Sequence, residues 1–329
     1  MNKYKSTELT NIEPKFLGSK ISVCILTYNH AHLIESTLKS ILNQTINGYD
    51  IYISDDCSTD NTFDIIKELI CNNDRIKLLK TPHNMGMAGN ANFAIKNINK
   101  PYIALLHHDD ICRTDLLEKW ALALEKNEGA AFVFNPYGVY GSKTIFRWNI
   151  GEECMEGRWL LEKLLFPKWG CCVRGTAMIR RDAWLSVGGM REEFGMLADI
   201  DLWMRLSMKW QVAYVDEPVI AIRQERPDNY PVAYKENFWT WRRRQLLYEI
   251  HIANRLTYWD IDSFGGRLKW WKFRILLSFE TFKWLSYAVI RKKPEMILTS
   301  KDSITKYDLM PLVILRWLLI SIYRSKYNQ

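Results

Sequence analysis

ISVCILTYNHAHLIESTLKSILNQTINGYDIYISDD, residues 21 to 56, is the stretch whose reading decides the fold. ISVCILTY (21 to 28) is an apolar, β-branched run and predicts a strand. AHLIESTLKSILNQ (31 to 44) places Leu33, Ile34, Leu38, Ile41 and Leu42 at helical spacing, and DIYISDD (50 to 56) predicts a second strand. Strand, turn, helix and strand in that order form the unit of a parallel sheet.

Downstream the alternation continues. Ser58, Thr59 or Asp60 can cap a helix over TFDIIKELI (62 to 70), and RIKLLK (75 to 80) reads as a third strand. A glycine-bearing turn at HNMGMAGN (83 to 90) leads into a helix reaching about Asn97. The strand YIALL (102 to 106) and the helix TDLLEKWALALEKN (114 to 127) follow. An α/β fold results, with helices covering the sheet and ligands expected outside the carboxyl ends of the strands.

Polar residues collect at that edge. Thr27, Tyr28 and Asn29 end the first strand, Asp55 and Asp56 the second; Asn84 and Gly86 follow the third, and Asp109 and Asp110 the fourth. A turn or a helix cap accounts for any one of these groups, but not for four strands converging on one edge. Neither G-x-G-x-x-G nor a Walker pattern is present, so a diphosphate bound here needs another neutralising partner. Carboxylates repel phosphate unless a hard cation lies between them, and Asp109 and Asp110 in LLHHDDI (105 to 111) suit Mg²⁺ or Mn²⁺. His107 or His108 could add a nitrogen ligand, although histidines at strand ends are more commonly packed or hydrogen-bonded.

The chain of 329 residues has room for one large domain or two smaller ones, and 48% hydrophobic with 25% charged residues excludes general disorder. Seven cysteines without repeated spacing read as reduced thiols. MNKYKSTELTNIEPKF (1 to 16) lacks the apolar core of a signal peptide, and no apolar run reaches the ~18 residues of a membrane span; a cytoplasmic location is expected. From Trp241 to Gln329 there are 17 Lys plus Arg against 7 Asp plus Glu, which more than accounts for the net charge of +8. That asymmetry places a boundary near residues 225 to 245.

RLKWWKFRILLSFETFKWLSYAVIRKK (267 to 293) and LMPLVILRWLLISIYRSK (309 to 326) interleave aromatic and aliphatic residues with Lys and Arg. Helices lying in an anionic membrane interface have this composition, and so does a helical subdomain that packs on the catalytic domain or on a second subunit to form a homo-oligomer. No nucleic-acid motif accompanies the basic tail, and nucleic acid is not expected as a partner.

Taken in order, ISVCILTYNHAHLIESTLKSILNQT, YDIYISDDCSTDNT, NMGMAGNAN and LLHHDDI resemble the nucleotide-sugar-binding half of family 2 glycosyltransferases. GTAMIRRDAWLSVGGMREEF (175 to 194), LADIDLWMRLS (197 to 207) and YVDEPVIAIR (214 to 223) resemble the acceptor-side half, so the likeness covers roughly residues 20 to 225. It implies a GT-A fold, a Rossmann-like mixed sheet covered by helices, with a C-terminal helical extension. The expected organisation is an N-terminal extension (1–19), a catalytic domain (20–230, divided into 20–112 and 113–230) and a basic helical region (231–329).

The resemblance also implies an inverting, metal-dependent glycosyltransferase. A sugar would pass from a nucleotide diphosphate donor, UDP type favoured, to a hydroxyl of a glycan acceptor, lipid-linked, in bacterial surface polysaccharide synthesis at the inner face of the membrane. Thr27 and Tyr28 match positions flanking the nucleobase and ribose, and Asp56 matches the acid that hydrogen-bonds the base, with Asp55 beside it. Asp109 and Asp110 match the metal-binding D-x-D motif, and Asp199 matches the catalytic base. Asn29, Asn84, Gly86, Asn92 and Asp109 complete the expected donor site. Asp201 reads either as support for Asp199 or as a cap of the helix it begins.

Three positions depart from the family pattern. His107 stands at the first acid of D-x-D, Ala198 precedes the base where an acid is common, and Ala91 replaces an arginine before Asn92. Arg174, Arg180, Arg181 or Arg223 could supply the missing positive charge, and each also reads as a surface or ion-pairing residue. Trp148, Trp159 and Trp169 are candidates for a sugar-stacking platform or for core packing. Glu192 and Glu193 in REEFGM read as acceptor-loop acids or as solvated charges. Two further function classes follow from the same residues: a catalytically inactive assembly partner, consistent with His107 and Ala198, and a sugar nucleotidyltransferase. The latter is disfavoured because TYNHAH stands where a glycine- and arginine-rich loop is expected.

Overall fold

The computed structural model describes residues 14–71, 73–167, 169, 171–223, 237–291 and 321. Most of the N-terminal extension and, apart from residue 321, the stretch 309 to 326 lie outside the described residues. The chain divides into two compact units, Met1–Arg226 and Pro227–Gln329.

The first unit begins with α1 (Pro14–Ser19), β1 (Ile21–Thr27), α2 (Ile34–Leu42), β2 (Asp50–Asp55), α3 (Thr62–Leu69), β3 (Ile76–Lys80), α4 (Gly86–Ile95) and β4 (Tyr102–His107). β5 (Ile111–Cys112), α5 (Leu116–Lys126), β6 (Ala130–Phe134), β7 (Tyr137–Val139), β8 (Ile145–Phe146) and β9 (Cys154–Glu156) follow. Next come α6 (Gly157–Leu160), which runs into a π-helical turn, β10 (Ala177–Arg180), α7 (Arg181–Ser186), a 3-10 turn over Glu192–Leu197, α8 (Ala198–Lys209), β11 (Gln211–Tyr214) and β12 (Ile220–Ile222).

Among the described residues the main sheet has the order β3-β2-β1-β4-β10-β6-β11-β9. β3, β2, β1 and β4 are mutually parallel, while β10 runs antiparallel to both β4 and β6, so the sheet is mixed. Every residue of β1 is buried, because it is covered on both faces and flanked by β2 and β4. The chain moves outward from β1 through β2 to β3 and then returns to the other side of β1 with β4. This reversal opens a crevice at the carboxyl ends of β1 and β4. Register aligns the edge, with Thr27 beside Asp55 and Leu26 beside His107.

A second, smaller sheet has the order β5-β12-β7-β8. The segment His108-Asp109-Asp110 carries the chain from β4 in one sheet to β5 in the other, so the acidic pair sits where the two sheets meet. The core is filled from both sheets and their helices. Trp120 of α5 is fully buried, with its indole N–H donating to Asn135 Oδ1 at 2.9 Å, and Trp203 of α8 lies 4.8 Å from the ring of Phe132.

In the second unit, α9 spans Asn237–Tyr258 and α10 spans Phe264–Ile290. α9 buries Leu246, Leu247, Tyr248 and Ile250, and α10 buries Phe273, Leu277 and Leu285. The guanidinium of Arg255 lies 4.1 Å from the centre of the Phe273 ring. No helix among the described residues is long and apolar enough to cross a membrane.

Candidate active site

Asp55 and Asp56 are adjacent yet do separate jobs. Asp55 is enclosed, and its carboxylate accepts from the Ser58 backbone N–H at 2.9 Å and from the Ser58 hydroxyl, shaping the turn after β2. Asp56 accepts from Met85 N at 2.8 Å and from Thr81 Oγ1 at 3.0 Å. Burial pushes the Asp56 carboxyl above its ordinary range, against the pull of those donors. Thr81 and Met85, which position this acid, were not legible as site residues.

At the end of β1, Thr27 is buried and its hydroxyl has no hydrogen-bond partner among the described residues, whereas Tyr28 and Asn29 are only half-buried. Asn29 adopts a left-handed φ of 54°, which asparagine tolerates better than most residues. Its backbone N–H donates to Ser58 Oγ at 3.0 Å, and its side-chain Oδ1 accepts from Thr59 N at 2.8 Å. The loops after β1 and β2 are thereby knitted into one surface.

Asn84, two residues before α4, accepts from Gly86 N at 3.1 Å, with Gly86 at φ +70°. Asn92 lies farther along α4 and directs its amide at the acceptor-side half. Its Nδ2 donates to Met190 O at 2.9 Å, and its Oδ1 accepts from Met190 N at 3.0 Å. A contact from Asn92 Nδ2 to Glu192 Oε1 at 3.3 Å ties the Glu192–Leu197 turn to the same helix.

The two histidines of LLHHDDI point to different neighbours. His108 Nδ1 lies 2.9 Å from Leu26 O, and its ring sits 3.7 Å, centre to centre, from His30. Burial lowers the His108 pKa to about 4 despite the nearby Asp109. Asp109 is half-buried; burial alone would raise its pKa, but His108, His107 and His30 together hold it below the usual carboxylate range. Asp110 is 5% exposed, and burial, reinforced by the charge of Asp109, pushes its carboxyl well up while Arg174 and Arg223 oppose the shift.

Of the expected pair, Asp109 is the more accessible and Asp110 the more enclosed. Among the described residues, no group of three or more His, Cys, Asp and Glu side chains could hold a metal ion. One or two carboxylates completed by phosphate oxygens satisfy Mg²⁺ or Mn²⁺, so Asp109 fits a cation shared with a diphosphate. The enclosed Nε2 of His108 has no hydrogen-bond partner among the described residues and stands 4.0 Å from Asp109 Oδ1.

Asp199 lies half-buried in the first turn of α8. Burial raises its pKa, with His107 and Arg174 pulling the other way. A Cβ built on Gly175 would stand 2.8 Å from His107 Nε2 and 3.2 Å from Asp199 Oδ2, which puts both residues against one bare backbone position. Asp201, offered by the sequence as support for Asp199 or as a cap, pairs with arginines. It is fully buried and ion-paired with Arg205 at 2.6 Å, and Arg205 also donates to Val187 O and Gly189 O. The four-residue spacing of Asp201 and Arg205 is the sequence signal that could have revealed the pair.

Of the four candidate arginines, Arg180 donates to Ala130 O and Leu124 O, and Arg181 to Ile98 O, so both brace backbone. Arg174 and Arg223 supply the positive charge near Asp110. Trp148 packs 5.7 Å from Tyr137, whereas Trp159 is exposed.

Comparison with known proteins agrees with this geometry. The profile for glycosyl transferase family 2 matches residues 22–186. EpsE of Bacillus subtilis (strain 168) is 29% identical over 57% of this chain and 66% of its own length. The UDP-Glc:alpha-D-GlcNAc-diphosphoundecaprenol beta-1,3-glucosyltransferase WfgD of Escherichia coli is 33% identical over 38% of this chain and 48% of its own. The chain thus spans less than two thirds of either relative. S. aureus TarS 1-349 in complex with UDP-GlcNAc matches with a TM-score of 0.63 at 16% identity, covering 93% of this chain and 87% of that one. The shared fold is GT-A. With Asp56 and Asp109 following strand ends, Asp199 opening α8 and the profile matching half of its length, the chain belongs to glycosyl transferase family 2.

Proposed function

We propose that this protein is an inverting, metal-dependent glycosyltransferase that moves a sugar from a UDP-type donor to a hydroxyl of a lipid-linked glycan acceptor in bacterial surface polysaccharide synthesis. The carrying observation is that Asp56 and Asp109 follow the strands flanking β1, at one edge of the sheet, while Asp199 of α8 lies against Gly175 together with His107, which ends β4. In this reading Asp56, Tyr28 and Asn29 receive the nucleoside. Asp109 would hold a divalent cation, and such a cation, when bound, would supply stabilisation of the negative charge on the leaving diphosphate. Asp199, its basicity raised by burial, takes the proton of the acceptor hydroxyl as the new glycosidic bond forms and the bond to the diphosphate breaks.

The UDP preference rests on the donors named for WfgD and TarS, and the lipid-linked acceptor on the name of WfgD. Contact with an anionic membrane at its cytoplasmic face is supported by α10, whose exposed side carries Phe264, Leu268, Trp271, Ile275 and Phe279 with Lys269 and Lys272. The test is release of UDP, dTDP or GDP from a panel of nucleotide sugars with and without Mn²⁺. Metal-stimulated release that is lost in Asp199→Asn supports the proposal; release indifferent to both the metal and Asp199 sinks it.

A further inference from the structure

The loop that enters β10 reads CCVRGT, residues 171 to 176. Cys172, Val173 and Thr176 are buried, and Gly175, at a left-handed φ of +75°, lies against the side chains of His107 and Asp199. Arg174 alone among 172–176 is exposed, so its side chain rises from a backbone anchored on both sides. Its guanidinium carbon lies 5.4 Å from the centre of the Tyr137 ring, a cation–π contact that consumes none of its N–H donors. Among the described residues Arg174 makes no hydrogen bond and no ion pair. Its charge nevertheless reaches both Asp110, after β4, and Asp199, at the start of α8.

The other candidate arginines are committed elsewhere. Arg180 and Arg181 brace backbone carbonyls, and Arg223 donates to Ser36 Oγ at 2.9 Å with its guanidinium 4.2 Å from the centre of the Tyr140 ring. Resting on the function proposed above, we infer that Arg174 is a substrate-binding residue that grips the diphosphate of the donor. A guanidinium offers N–H donors in a planar fork that matches two phosphate oxygens, and all of those of Arg174 are unspent. When the bond between the anomeric carbon and the diphosphate oxygen breaks, its electron pair stays with the diphosphate. Arg174 donates hydrogen bonds to that growing charge and keeps its own protons. The positive charge missing at Ala91 is thereby supplied from the acceptor-side half of the chain.

The test titrates the full chain with UDP, dTDP and GDP and compares the diphosphate it binds with the corresponding nucleoside. Arg174→Ala should weaken binding of the diphosphate on the order of tenfold to a hundredfold, the loss of a charge-assisted contact, and leave nucleoside affinity and helix content unchanged. Arg174→Lys, which keeps the charge but not the fork, should recover part of the affinity. Unchanged diphosphate affinity in Arg174→Ala would overturn the inference, and so would an equal loss for diphosphate and nucleoside, which marks a structural effect. A fall in transfer to a phosphate-bearing acceptor with diphosphate affinity intact would also overturn it, by moving Arg174 to the acceptor. If the unaltered protein binds none of the three diphosphates, the function proposed above fails and the inference falls with it.

Discussion

Asp109 and Asp110 are consecutive residues with opposite electrostatic fates, the first half-exposed and held charged by histidines, the second enclosed and pushed toward its neutral form. Asp109→Asn should therefore cost on the order of 10²- to 10³-fold in turnover, the usual loss when a stabiliser of developing charge is removed, and should remove the Mn²⁺ response. Asp110→Asn, close to isosteric with the protonated acid, should retain that response. Steady-state kinetics over a Mn²⁺ titration separates the two variants.

Asp56 depends on Thr81 and Met85 for its orientation. Thr81→Val removes one of these hydrogen bonds, and UDP affinity should fall by about 0.5–1.5 kcal/mol, the net worth of a typical hydrogen bond. Calorimetric titration with UDP checks this, and unchanged affinity would place Asp56 outside the nucleoside site.

Within α8, Asp201 and Arg205 form a buried pair that also clamps the 187–189 backbone. Asp201→Ala should destabilise the first unit by roughly 3–5 kcal/mol, because it leaves a buried cation without its partner. Urea denaturation followed by tryptophan fluorescence provides the measurement.

His251 of α9 is fully buried with Nδ1 against the Arg255 guanidinium; burial, then the charge of Arg255, holds its pKa well below the ordinary value. The unfolded chain thus takes up the proton first as the solution is acidified. This contribution to the second unit is intact above the unfolded value near 6.5 and declines as pH falls through it, by at most ~1.4 kcal/mol per pH unit. Amide exchange in α9 should quicken from pH 7.5 to 5.5, and His251→Gln should flatten that dependence.

The exposed face of α10 should bind vesicles that contain phosphatidylglycerol and leave neutral ones free. Leu268→Glu together with Phe279→Glu should abolish flotation without loss of helix content. Equal flotation of variant and parent would count against a membrane role for this helix.

Periodicity alone specified β1 to β4 and the helices between them, since a strand buried on both faces and a one-sided helix leave different apolar spacings. The same alternation put Asp56 and Asp109 at strand ends. The division of labour between Asp109 and Asp110 was not legible, because it depends on Arg174 and Arg223, which reach Asp110 from segments far along the chain. Asn92 shows the same limit: its motif points to the donor, yet its amide bonds to Met190, 98 residues away.

The sequence by itself determined the layered α/β plan, the family and the edge where the chemistry belongs, all of which follow from local pattern and ordered motifs. Tertiary structure alone decided which carboxylates are enclosed, in which direction their pKa values move, and that His107 and Asp199 both lie against Gly175. The physical reason is that burial, opposing charge and a positive φ are properties of neighbours brought together in space, and adjacency in sequence does not encode them.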